Sequence, residues 1–246
     1  GVMGSQIACH FANIGLDVVL LDIVPFDLSD EKKENPKARN RIVDGALKAA
    51  LKMKPAPLYD KSFAGRIKTG NFDDHLSWIS DCDWVIEVII EKADIKKDLF
   101  ERVEEHRTPG TLITSNTSGI PIETLIEGRS DDFRAHFCGT HFFNPPRYLK
   151  LFEIIPSTET DPAIVEFFAD YADLYLGKTP VICKDTPAFI ANRIGVFSMS
   201  AIFQLQQEMG LTVKEIDALT GPLTGKPKSA TFRTADVVGL DTLIKV

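Results

Sequence analysis

The opening stretch GVMGSQIACHFANIGLDVVLLD constrains the fold more than any other part of the chain. Gly1 and Gly4 precede a helical pattern over 5–14, and a short strand rich in valine and leucine over 16–22 ends in Asp22. A nearly continuous apolar strand of this kind is typical of a parallel sheet that is covered on both faces. The order of glycines, helix, strand and acid therefore predicts an α/β fold with a turn suited to a nucleotide.

The same stretch matches the second half of a dinucleotide-binding motif. A helix N-terminus offers free N–H groups and the positive end of its dipole to a pyrophosphate. An acid ending the next strand accepts hydrogen bonds from ribose hydroxyls and would repel the extra phosphate of NADP. We therefore predict an NAD site that contains Gly1, Gly4 and Asp22. The alternative is an ordinary glycine-containing turn. It is disfavoured because the helix, the strand and the acid follow the glycines at the spacing of the motif.

One glycine and one strand of the complete motif are absent from the sequence before Gly1. That strand is central in a doubly wound sheet, and its loss leaves buried backbone groups unpaired. We expect that these 246 residues do not form a stable unit without additional chain.

Strand and helix patterns continue to alternate after Asp22, which predicts a Rossmann-type, doubly wound and mostly parallel sheet over 1–183, with its first strand missing. After Pro187 the pattern is helical only, so 184–246 is predicted to begin an all-α domain, with the boundary near 184–187. The predicted strands are 83–90, 111–118, 137–144, 150–156 and 179–185, and the predicted helices are 94–107, 161–175, 188–208 and 212–219.

A long segment, 24–75, lies between the second and third strands and is predicted to be a helical insertion, with one helix over 41–54. Residues 31–54 carry eight Lys or Arg against three Asp or Glu. They form either a solvated helical hairpin or a surface for an anionic part of a substrate.

Several classes of protein are disfavoured by composition. The formal net charge of −7 argues against a nucleic-acid partner. No apolar run approaches the ~20 residues of a transmembrane helix. The four scattered cysteines contain no CxxC pair, which favours a reducing compartment without a disulfide framework or a metal site.

Three further segments carry the chemistry: SNTSGIPI (115–122), GTHFFNPPRYLKLFEIIP (139–156) and KDTPAFIANRIG (184–195). Together with GVMGSQIA and VVLLD, they closely resemble the 3-hydroxyacyl-CoA dehydrogenases of fatty-acid β-oxidation, over essentially the whole chain. The basic insertion and the C-terminal segment resemble a bacterial branch in which an enoyl-CoA hydratase module follows in the same polypeptide. The resemblance thus implies a bacterial cytoplasmic enzyme with an acyl-CoA substrate, NAD, no resident metal and a possible homo-oligomer.

The resemblance also implies catalytic roles at matching positions. His141 would be the general base that removes the proton of the 3-hydroxyl group. Glu153 would orient His141 and stabilise its protonated form. Ser118 would donate a hydrogen bond to the substrate oxygen, and Asn192 would help to hold the substrate. The cofactor would be contacted by Glu91, Lys96, Asn116 and Asn144. In the family the segment after the second strand meets the CoA nucleotide, so Lys37, Arg39, Arg41 and Lys48 are candidates for that contact, without a residue-by-residue match in this longer segment.

Each catalytic residue also has a purely structural interpretation. His141 could be a hydrogen-bonded core residue, Glu153 could pair with a neighbouring cation, Ser118 could cap a helix, and Asn192 could be an ordinary polar helix residue. All four match one family's spacing, which favours the catalytic interpretation. The alternative functions are a related dehydrogenase acting on another hydroxy acid, and an NAD-binding scaffold without catalysis.

Overall fold

The computed structural model describes residues 1–243, in which seven β-strands form two sheets. The smaller sheet pairs β1 (Val18–Asp22) in parallel with β2 (Ile67–Asn71). The larger sheet has the order β3-β4-β5-β6-β7, and all of its pairs are parallel except β5 with β6. The larger sheet consists of β3 (Trp84–Glu87), β4 (Leu112–Ser115), β5 (Phe137–Phe142), β6 (Leu151–Pro156) and β7 (Thr179–Ile182).

Helices alternate with these strands up to β7, except between β5 and β6, and after β7 the described residues contain helices and 3-10 turns without a strand. This order confirms the predicted α/β fold with a mostly parallel sheet followed by helices. The α-helices are α1 (Val2–Asn13), α2 (Pro36–Arg39), α3 (Arg41–Ala50), α4 (Phe72–His75), α5 (Ala93–His106), α6 (Ile122–Ile126), α7 (Asp131–Ala135), α8 (Pro162–Leu174), α9 (Ala191–Met209), α10 (Val213–Thr220), α11 (Phe232–Val238) and α12 (Leu240–Leu243). Short 3-10 turns cover Asp30–Lys32, Lys61–Arg66, Leu76–Asp81 and Pro222–Thr224.

The prediction that 24–75 is a helical insertion is wrong in its last third. Helices α2 and α3 are separated by Asn40, and irregular chain and the 3-10 turn Lys61–Arg66 follow them. The segment then forms strand β2 and ends with the short helix α4. Sequence periodicity missed β2 because IKTGN is only five residues long and weakly apolar. Its pairing with β1 decides its conformation, as tertiary context commonly does for short strands.

Helices cover both faces of the larger sheet, because alternate side chains of each strand point in opposite directions. Cys138 of β5 packs in a core cluster with α1 and α8. Its neighbour Phe137 stacks on Phe133 and meets Phe100 edge to face on the other side of the sheet. Gly139 allows α6 to approach β5 closely: a Cβ at this position would lie 2.8 Å from the Ile122 Cδ1 atom.

The chain divides into two compact units, Gly1–Asp185 and Thr186–Val246. In the described part of the second unit, the Asp217 carboxylate accepts backbone hydrogen bonds from Thr231, Phe232 and Arg233, which satisfies the N-terminus of α11. Within residues 1–243, no helix has the length and apolar character needed to cross a membrane. The described residues also place no three His, Cys, Asp or Glu side chains together in a way that would hold a metal ion.

Candidate active site

A buried histidine–glutamate pair lies at the centre of the larger sheet. His141 and Glu153 are directly opposite each other in the antiparallel pairing of β5 with β6. The His141 Nδ1 atom lies 2.8 Å from the Glu153 Oε2 atom, and the two residues are 6% and 0% exposed. Cross-strand register therefore brings together two residues that are twelve positions apart.

Two asparagines hold the ends of the strands around this pair. Asn116, directly after β4, accepts a hydrogen bond at its Oδ1 atom from the backbone N–H of Phe142, 2.8 Å away. Asn144 accepts a hydrogen bond from the Gln6 Nε2 atom of α1, 3.0 Å away. The first residues of α1 and the residues flanking His141 are therefore tied to one another.

Ser118 lies in a loop that is organised by the Glu91 carboxylate. The Glu91 Oε1 atom accepts hydrogen bonds from Thr117 Oγ1 at 2.6 Å, from Ser118 N at 2.8 Å and from Gly119 N at 3.1 Å. Partial burial of Glu91 would by itself raise its pKa, but these hydrogen bonds and the charge of Lys96 outweigh that effect and lower the pKa below its ordinary value. Glu91 is therefore held as a carboxylate.

Lys96 is more deeply buried than a direct ligand of a cofactor would be. Its side chain is 1% exposed, and its Nζ atom lies 2.7 Å from Glu87 Oε1 and 3.3 Å from Glu91 Oε2. In this structure Lys96 contacts the two glutamates, so its predicted part in the cofactor site would pass through Glu91. Glu87 was missed at the sequence level, although a charged residue inside the apolar strand DWVIEVII was the available signal.

The N-terminus of α1 lies beside the end of β1. Gly1 is the N-cap of α1 and provides no side-chain cap for the N–H groups of the first turn. The Gly1 amino nitrogen lies 2.7 Å from Asp22 Oδ2, and the Asp22 side chain is 18% exposed. Backbone donors thus stand beside a carboxylate, the combination that fits a diphosphate next to a ribose.

The four basic candidates of the insertion differ in their partners. Arg39 forms a bidentate ion pair with Asp74, with distances of 2.6 and 2.8 Å, and Arg41 forms an ion pair with Asp27. Both guanidinium groups are therefore engaged in ion pairs at the surface of the protein, with which a CoA phosphate would have to compete. Lys37 and Lys48 are exposed, and neither forms an ion pair with another described residue.

The loop between β5 and β6 connects the histidine–glutamate pair to the insertion. The Arg147 Nη1 atom donates hydrogen bonds to the carbonyl oxygens of Ala56 and Leu58, at 2.7 and 2.9 Å. From the other side, the buried Lys178 ammonium donates to the carbonyl oxygens of Pro146 and Leu149. Neither residue was predicted as part of the site, since an Arg or Lys that binds backbone carbonyls leaves no local sequence pattern.

Asn192 belongs to the second unit, where it is the second residue of α9. Its predicted contact with the substrate stays a prediction, as do the catalytic roles of the other residues.

Comparison with known proteins covers the whole chain. Residues 1–186 match the family model for the NAD-binding domain of 3-hydroxyacyl-CoA dehydrogenase, and residues 189–246 match the model for the C-terminal domain of the same family. The chain is 52% identical to a probable 3-hydroxyacyl-CoA dehydrogenase of Bacillus subtilis, with all of this chain and 32% of that protein aligned. A probable 3-hydroxyacyl-CoA dehydrogenase of Deinococcus radiodurans is 48% identical over all of this chain and 69% of its own length.

Solved structures show the same similarity. The crystal structure of (S)-3-hydroxybutyryl-CoA dehydrogenase from Ralstonia eutropha superposes with a TM-score of 0.77 at 28% identity, over 99% of this chain and 81% of that one. The chain therefore spans most of this solved protein but only about a third of the Bacillus relative.

Proposed function

The chain belongs to the 3-hydroxyacyl-CoA dehydrogenase family, and we propose that it oxidises L-3-hydroxyacyl-CoA to 3-ketoacyl-CoA with NAD, as a step of fatty-acid β-oxidation. The observation that carries the proposal is the buried His141–Glu153 pair, whose 2.8 Å contact joins a base to a carboxylate. A purely structural role would not require a histidine and a carboxylate at the same buried cross-strand position.

In the proposed reaction, His141 takes the proton of the 3-hydroxyl group. Glu153 accepts a hydrogen bond from Nδ1 of the ring, which places the lone pair on Nε2 and directs that atom to the proton. As the proton arrives, the ring becomes positively charged, and the adjacent carboxylate stabilises that charge within a protein interior of low dielectric. A bound NAD would supply the acceptor for the hydride that leaves C3.

Ser118 would donate a hydrogen bond to the reacting oxygen from the loop that Glu91 shapes, and Asn192 would hold the substrate from the second unit. Asp22 would accept hydrogen bonds from the ribose, and the first turn of α1 would hold the diphosphate with backbone N–H groups. Asn116 and Asn144 would border the nicotinamide, because both lie beside the end of the strand that carries His141.

The insertion is the proposed contact for the CoA nucleotide. Residues 56–58 are bound by Arg147 in the loop beside the catalytic pair, which places the insertion next to the site. The exposed ammonium groups of Lys37 and Lys48 are the best candidates for the 3′-phosphate.

The Bacillus relative is about three times as long as this chain, which leaves room for the proposed hydratase module. A bacterial cytoplasmic location completes the proposal.

Turnover of L-3-hydroxybutyryl-CoA by the full-length gene product, compared with free L-3-hydroxybutyrate, tests the substrate class. We expect NADH formation with the CoA thioester and little with the free acid. Activity on the free acid alone would favour a hydroxy-acid dehydrogenase, and NAD binding without any turnover would favour a scaffold.

A further inference from the structure

A cluster of two carboxylates and one ammonium group lies beneath the loop that carries Ser118. Glu87 ends β3, Lys96 lies on the first turns of α5, and Glu91 lies between them in sequence. Glu87 and Lys96 are 3% and 1% exposed, whereas the Glu91 side chain is 37% exposed. Within this cluster, the charged groups of Glu87 and Lys96 are buried, and only the Glu91 side chain is exposed at the surface.

We propose that Glu87 is a positioning residue for the dehydrogenase reaction, which acts through Lys96 and Glu91 on the loop 117–119 and so on Ser118. The inference rests on the proposed function, since it assigns Ser118 to the substrate oxygen. Glu87 itself is too deeply buried to touch a substrate or cofactor.

Glu87 is linked to the loop first by ion pairs, through the ammonium group of Lys96. The Lys96 Nζ atom lies 2.7 Å from Glu87 Oε1 and 3.3 Å from Glu91 Oε2, so one ammonium group is shared by two carboxylates. Glu87 also accepts a hydrogen bond from Ile89 N at 2.6 Å. These contacts set the location of the ammonium group, and the ammonium group in turn holds one oxygen of Glu91.

Glu87 is linked to the loop a second time by hydrogen bonds, through the hydroxyl group of Ser115. The Ser115 Oγ atom donates a hydrogen bond to Glu87 Oε2 and accepts one from the backbone N–H of Thr117, 3.2 Å away. The loop is therefore fastened at both ends to the cluster: to Glu87 through Ser115, and to Glu91 through the donors of residues 117–119.

Burial of an ion pair is a weak source of stability, because desolvation of both groups opposes their attraction. Apolar side chains would fill the same space without that penalty. The arrangement is instead suited to placing a loop accurately, since each oxygen of Glu87 and Glu91 accepts from a defined donor. This is the kind of supporting contact that holds a reactive group in its productive geometry.

The test is a double-mutant cycle in the full-length gene product with Glu87→Gln and Ser118→Ala. Each single variant is expected to lower kcat/KM for L-3-hydroxybutyryl-CoA about tenfold. Because both act on the same contact, the double variant is expected to lose about tenfold as well, and not a hundredfold. A structural role for Glu87 would instead give losses that multiply.

Glu104→Gln is the matched control. Glu104 accepts hydrogen bonds from Ser130 N and Ser130 Oγ and pairs with Arg129, so it also anchors a loop with a partly buried carboxylate. This control should lower the melting temperature without lowering kcat/KM in either background.

If Glu87→Gln does not fold, Ser115→Ala replaces it in the cycle, because it detaches Glu87 from the loop without altering a charge. Losses that multiply, or wild-type kcat/KM in the folded Glu87 or Ser115 variant, would overturn the inference while the proposed function stands. Absence of turnover by the unsubstituted protein would overturn the proposed function and this inference with it.

Discussion

Replacing Glu153 with glutamine removes one charge from the buried His141–Glu153 pair, for which a catalytic role is proposed, and keeps the shape of the side chain. An imidazolium and a carboxylate with charge centres about 4 Å apart attract by about 4 kcal/mol at an effective dielectric constant of about 20. A neutral hydrogen bond contributes about 1 kcal/mol. The 2.8 Å contact between His141 and Glu153 therefore supplies about 3 kcal/mol to the state in which His141 is protonated.

That difference corresponds to roughly a hundredfold in rate. We expect Glu153→Gln to slow the chemical step about a hundredfold and to leave the KM for NAD within about threefold of its original value. Single-turnover measurement of NADH formation with L-3-hydroxybutyryl-CoA is the suitable assay, because product release can mask the chemical step in kcat.

Thr140→Val is the matched control for this variant. Thr140 precedes His141 on β5, is 0% exposed, and donates a hydrogen bond to the Thr114 Oγ1 atom. Its side chain points to the opposite face of the sheet. The control should lose about 1 kcal/mol of the free energy of unfolding, with little change in the single-turnover rate. A Glu153→Gln protein that is folded and within about fivefold of the original rate would refute the argument.

Three other substitutions test separate parts of the structure. Asp22→Asn should raise the KM for NAD about tenfold through loss of a charged hydrogen bond and should improve the use of NADP; an unchanged ratio of the two cofactors would remove Asp22 from the site. Burial of the His10 ring lowers its pKa to about 4, so the unfolded chain binds a proton between about pH 6.5 and pH 4 that the folded protein does not, and stability falls as the pH falls through this range. His10→Gln should remove about 3 kcal/mol of that loss, measured by urea unfolding at pH 7 and pH 4, and an identical loss in both proteins would contradict the assignment. Gly139→Ala would place a Cβ atom 2.8 Å from Ile122 Cδ1 and should cost about 1–3 kcal/mol of the free energy of unfolding; equal stability in urea would show that the site has room.

The sequence predicted those elements whose pattern is local. The strands that carry His141 and Glu153 are apolar runs in which these two polar residues stand out, and the long amphipathic helix α8 follows them. Placing these two residues opposite each other required only that neighbouring strands pair across a short turn.

Features that depend on distant residues were not predicted. β2 is a strand because β1 provides its partner, and Lys96 is internal because Glu87 and Glu91 enclose its ammonium group. Arg39 was proposed as a ligand from its charge and its place in the insertion, but Asp74, distant in sequence, forms an ion pair with it. A linear pattern shows that a charge is present and does not show which partner neutralises it.

Hydride transfer that depends on His141 is the central claim, and isotope transfer tests it most directly. The full-length protein and its His141→Gln variant are each incubated with NAD and L-3-hydroxybutyryl-CoA that carries deuterium at C3. The nicotinamide product is then analysed for deuterium by mass spectrometry. We predict deuterated NADH from the unsubstituted protein, and a loss of turnover of about 10²–10⁴-fold in the variant with NAD binding retained. Undeuterated product, or equal turnover by the two proteins, would contradict the account.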